Sequence, residues 1–138
     1  MQMTDKRALV VDDSKSARAF LSRMLEKHGI EVDTAETAEQ AIVYLARTRP
    51  DVIFMDVLMP GMDGYEVCRQ LKLDPALGGI PVTFISSLED TLDTVKAFQT
   101  GGVDYITKPF QLEEVIARVE AQLARYQLYQ HEQKLAAL

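Results

Sequence analysis

Cysteine is nearly missing from this chain: Cys68 is the only one in 138 residues. No disulfide can form within it, which excludes a disulfide-stapled secreted fold and leaves Cys68 to serve as a small buried hydrophobe. Long apolar runs are also lacking. No stretch approaches the roughly 18 residues a membrane span needs, and the opening MQMTDKRALVVDD has no apolar core of a signal peptide. A soluble, cytoplasmic protein is therefore expected. Basic residues are outnumbered, 15 against 21 acidic, for a formal charge of -6 and a pI near 4.9. With no long basic run to lie on phosphates or anionic lipid, neither nucleic acid nor a membrane is expected as a direct partner.

What is present is 47% hydrophobic residues in a chain of single-domain size, enough for one sizeable core. The apolar residues come in a repeating order. Ala8-Leu9-Val10-Val11 is short, β-branched and ends in Asp12-Asp13, the pattern of a buried strand whose carboxyl end reaches a polar surface. Ser14 then reads as an N-cap, Ala17, Phe20, Leu21, Met24 and Leu25 recur at helical spacing, and Gly29 supplies the stop. Residues 31–35 predict a second strand, and 37–48 a helix with Ala38, Ala41, Ile42 and Leu45 inward. Val52-Ile53-Phe54-Met55 ends at Asp56, and a glycine- and proline-rich turn leads to a helix through Leu73. Residues 74–80 read as a loop. A fourth apolar run finishes at Ser86-Ser87, a helix over 89–99 carries Val95 and Phe98 inward, and a fifth run over 103–107 ends at Lys108-Pro109 before a long last helix. Apolar strands linked through helices imply an α/β, doubly wound parallel sheet covered on both faces.

Each residue with chemical potential stands at the carboxyl end of a strand: Asp12 and Asp13 after the first, Asp56 after the third, Ser86 after the fourth, Lys108 after the fifth. In the flavodoxin-like order 2-1-3-4-5, strands one and three flank the point where strand order reverses, which gathers three carboxylates there. Such a group repels itself unless a cation joins it. Oxygen-only ligands with no His or Cys suit Mg²⁺, and a carboxylate beside it is a competent nucleophile towards phosphorus. Lys108 is placed to neutralise a phosphoryl oxygen and Ser86 to hydrogen-bond one. Taken singly, each has a plainer account: a turn and helix cap for Asp12-Asp13, a solvated strand end for Asp56, a cap for Ser86, a surface cation for Lys108. It is their ordered joint occurrence that points to a site.

The segments LVVDDS, DVIFMDVLMPGMDGYEVCRQLK, IPVTFISS and GGVDYITKPF together resemble the receiver domain of bacterial two-component response regulators, over nearly the whole chain to about Leu123. The resemblance implies that Asp56 is the phosphoacceptor, that Asp12, Asp13 and the Leu58 backbone carbonyl complete a Mg²⁺ site, and that Lys108 contacts the phosphoryl group. It further implies that Ser86 is the switch hydroxyl, Tyr105 the switch aromatic, and Lys108–Pro109 a cis peptide. The donor is then a histidine kinase or phosphotransfer protein, since His28 and His131 lie away from the strand ends. Such a chain is a switch rather than an enzyme of turnover, acting on itself through phosphorylation from a phosphodonor and autodephosphorylation. Ser86 stands where threonine is more usual, and Ser87 where alanine or glycine is common. Leu58 and Leu88 are apolar where this family lines the approach to the phosphate.

The expected division is a receiver unit over 1–123 and a helical extension over 124–138. The extension continues the last helix without Pro or Gly, with Leu128, Leu135 and Leu138 at heptad-compatible spacing, and suits a connector to an output domain or a phosphorylation-linked homodimer. Two other classes share parts of the pattern. A haloacid-dehalogenase-type phosphatase places Asp-x-Asp after its first strand, where this chain has Asp12-Asp13, and a flavin protein needs a glycine- and hydroxyl-rich loop there that this chain lacks.

Overall fold

The computed structural model describes residues 5–59, 61, 63–87, 99, 101 and 104–137. Its elements in chain order are β1 (Arg7–Val11), α1 (Lys15–Glu26), β2 (Glu31–Ala35), α2 (Ala38–Leu45), β3 (Val52–Asp56), α3 (Gly64–Leu73), β4 (Val82–Ser87), β5 (Asp104–Lys108) and α4 (Leu112–Ala136). The helix expected over 89–99, with Val95, Phe98 and the preceding Leu88, falls outside the described residues apart from Gln99.

The five strands form one parallel sheet in the order β2-β1-β3-β4-β5, as the resemblance implies. Within a strand, side chains alternate between the two faces, and both faces are apolar because both are covered. Leu9, Val11, Ile53 and Met55 pack with Ala38, Ala41, Leu45, Val67, Cys68 and Leu71 of α2 and α3. On the other face, Ala8, Val10, Phe54 and Ile85 pack with Leu21 and Leu25 of α1 and Val115, Val119 and Leu123 of α4.

The first three helices start where hydroxyl or carboxylate caps predict. Ser14 Oγ accepts from the Ala17 amide at 3.3 Å, Thr37 Oγ1 from Gln40 at 3.1 Å, and Asp63 Oδ1 from Glu66 at 2.9 Å. Gly29 takes φ 84°, which ends α1 in a left-handed turn. Two expected core residues are not buried. Phe20 is 50% exposed, its ring stacked on Phe110 at 6.3 Å, and Ile42 is 40% exposed beside the groove between α2 and α3. Helical spacing defines a stripe, but the width of the stripe that a neighbour covers is a tertiary matter.

The last helix is continuous for 25 residues, so no break occurs at position 123. Tyr126 is buried and joins the core cluster of α2 and α3, whereas Leu123 belongs to the opposite one. Among the described residues no helix is long and apolar enough to cross a membrane.

Candidate functional site

Adjacency of β1 and β3, with Val11 level with Met55, sets the residues that follow them side by side. Asp12 is fully buried just past β1, and Asp56, the last residue of β3, is 4% exposed, while Asp13 faces solvent. Carboxylate oxygens of all three lie within 4.8 Å of one another. Their backbone is held locally: Asp12 Oδ1 accepts from the Ser14 amide at 2.9 Å, and Asp56 Oδ1 accepts from the Leu58 amide at 3.2 Å.

Lys108, at the end of β5, reaches back across the sheet to place Nζ 2.9 Å from Asp12 Oδ2. That oxygen is buried and has no partner in hydrogen-bonding geometry, so the lysine offsets its charge without saturating it. The Lys108–Pro109 peptide is cis, as expected. Burial, then the charge of Asp12, push the Asp56 carboxyl up to about 8, against the opposing pull of the Leu58 amide and of Lys108. The cluster thus carries more negative charge than its protein partners balance. Its donors are all oxygens, one carboxylate is open to solvent, and one buried oxygen is unsaturated, a set that fits a hard dication keeping several waters.

Ser86 is 2% exposed in β4, one residue beyond Ile85, the partner of Asp56, and pairs in register with Thr107. The Leu58 side chain, two residues after Asp56, is 58% exposed. Tyr105 is 38% exposed in β5 with its ring centroid 6.0 Å from the Arg118 guanidinium. Arg118 is fixed in turn by Asp104, Nη1 to Oδ1 at 2.6 Å, and Gln122 donates to the other oxygen of Asp104 at 3.2 Å.

Sequence reasoning missed two contributors. Arg18 donates from Nη1 to the Asp12 carbonyl oxygen at 2.8 Å and pairs with Glu36 at 3.5 Å, which ties the loop after β1 to α1. Its only signal was a basic residue one turn into a helix that starts at the strand end. Gly64 is the other: a β-carbon there would lie 2.1 Å from the Asp56 carbonyl oxygen and 2.9 Å from Met55 Cγ, so α3 can start against β3 only without a side chain.

Comparison with known proteins shows the family. A family model for the response regulator receiver domain matches residues 8–120. The DNA-binding response regulator MtrA of Mycobacterium tuberculosis is 37% identical over 125 residues, 91% of this chain and 54% of that protein. Response regulator PleD of Caulobacter vibrioides is 41% identical over 122 residues, 88% of this chain and 27% of PleD. The chain therefore spans about half, or less, of the length of these curated relatives. Among solved structures, a putative response regulator from Chloroflexus aurantiacus superposes with a TM-score of 0.82 at 32% identity, covering 86% of this chain and 98% of that one.

Proposed function

The chain belongs to the response regulator receiver family, and on that premise we propose that Asp56 takes up a phosphoryl group from a histidine kinase or phosphotransfer protein and that its phosphorylation state is the signal. The observation that carries this reading is the convergence of buried Asp12, exposed Asp13 and Asp56 within 4.8 Å, with Lys108 against Asp12. An Asp56 carboxylate oxygen attacks phosphorus as the P–N bond to the donor histidine breaks, and the departing imidazole keeps the bond's electron pair and takes up a proton. Ionised Asp56 is the attacking form, and the factors that hold its proton are burial and Asp12.

Asp12, Asp13, Asp56 and the Leu58 carbonyl oxygen are the groups that would hold Mg²⁺. Bound there, the ion supplies positive charge that lowers the carboxyl's affinity for its proton and offsets the charge of the phosphoryl oxygens. Lys108 contributes a second positive charge, released from Asp12 to the incoming phosphoryl group. Ser86 donates its hydroxyl to a phosphoryl oxygen, and Tyr105 moves in response, altering the flank formed by β5 and Arg118. The output is then read by a further domain or a separate protein. Contact with DNA, stated in the name of MtrA, is not proposed for this acidic segment itself.

Incubation with acetyl phosphate and Mg²⁺, followed by intact-mass measurement, tests the reading. Wild-type chain should gain one phosphoryl group and Asp56→Asn none, whereas an unmodified wild-type chain would overturn it.

A further inference from the structure

At the opposite end of the sheet from the carboxylates, the segments entering β4 and β5 meet the last helix. Lys72, near the end of α3, turns its ammonium inward and donates to the carbonyl oxygens of Gly78 at 3.0 Å and Ile80 at 2.8 Å. Those two bonds bracket Gly79. A β-carbon on Gly79 would sit 2.2 Å from Tyr129 Cε1 and 2.7 Å from Cδ1, so the Tyr129 ring packs against bare backbone. Tyr129 also stacks with buried Tyr126 at 6.4 Å and 21°. The stem of Lys72 occupies the space beside Gly101, where a β-carbon would come within 2.5 Å of its Cγ. One lysine thus joins α3, the loop after it and the entry to β5 around the place where α4 leaves the body.

From these contacts we propose that Lys72 and Gly79 form a seat that clamps the last helix through Tyr126 and Tyr129, so that the receiver unit ends after Tyr129 and only the helix beyond it is a free arm. This stands apart from the phosphoryl reading, because none of these residues touches the carboxylate site. Residues 130–137 are all exposed and Tyr129 keeps 40% exposure over Gly79, whereas the helix up to Tyr126 presents a buried face throughout. The seat also accounts for the glycine pair in the loop: Gly79 admits the ring, and a β-carbon on Gly78 would lie 3.2 Å from the Asp74 carbonyl oxygen. The ammonium acts as a positioning group. It satisfies two carbonyls and holds the loop at the height the ring requires.

Hydrogen exchange on the full chain reads the clamp. Amides of residues 124–129 should exchange slowly in the wild type and those of 131–136 fast. Tyr129→Ala, Gly79→Ala and Lys72→Met should each speed exchange over 124–129 by about tenfold, as expected when a local contact rather than the whole fold opens. Tyr129→Phe should retain protection, because the ring and not the hydroxyl fills the seat. Exchange in β3 reports on the fold as a whole. If 124–129 kept wild-type protection in Gly79→Ala and Tyr129→Ala, or if β3 accelerated equally, the seat would be overturned.

Discussion

Asp56 is a carboxyl whose environment resists its charge, and that resistance has a sign. Its folded value, near 8, lies above the ordinary 3.8, so the folded state binds this proton more tightly than the unfolded one. The stability it contributes is fully present below about pH 4 and is lost as pH rises towards 8. In thermal melts without divalent cations, Asp56→Asn should therefore gain stability over wild type progressively across this window. Mg²⁺ should raise the melting temperature of wild type more than that of the variant, more so at pH 8 than at pH 6. Leu58 gives a second test at this scale. Its side chain is exposed two residues after Asp56, and on the proposed reading Leu58→Asn should shorten the phosphorylated lifetime several-fold by admitting water, measured as loss of the added mass over time. An unchanged lifetime would remove the leucine from the account.

At the scale of elements, Gly64 joins fold to site. Replacing it with alanine drives a methyl group into the Asp56 carbonyl and Met55, so α3 must retreat from β3 or the end of β3 must shift. Gly64→Ala should cost about 1–3 kcal/mol in denaturant unfolding and reduce phosphoryl uptake along with it. Much of this level was legible in the sequence. Strand ends at Val11, Asp56 and Lys108 follow from apolar runs bounded by polar residues, and the caps Ser14 and Thr37 follow from local chemistry. What was not legible depends on partners far along the chain. Phe20 and Ile42 fit an inward stripe by period yet stay half-exposed, and Tyr126 and Tyr129 read as surplus helix in a sequence that cannot show the core around Tyr126 or Gly79 beneath Tyr129. Arg18 reads as one surface cation among many until its guanidinium is seen on the Asp12 carbonyl. Periodicity reports which face is apolar, and only the tertiary fold reports what meets it.

For the molecule as a whole, the parallel sheet separates its two ends. The carboxylates lie beyond the carboxyl ends of the strands and the seat for the last helix beside their amino ends, about one strand length away, or roughly 16 Å for five residues. On the outer side of the last helix, Leu128 beside the seat and Leu135 beyond it are 59% and 55% exposed and seven residues apart. If phosphorylation pairs two chains along this leucine face, light scattering should show the mass rise from 15.5 kDa towards twice that value on adding beryllofluoride with Mg²⁺, and Leu128→Glu should prevent it. A constant mass would leave the arm as a connector alone. The seat at Gly79 and Tyr129 also has a use in building chimaeras. A fusion joined after Ala124 would sever the tyrosine ring from its resting place and hand the downstream module a loose tether, whereas a junction after Gln130 would keep the receiver whole and give every attached module the same starting angle.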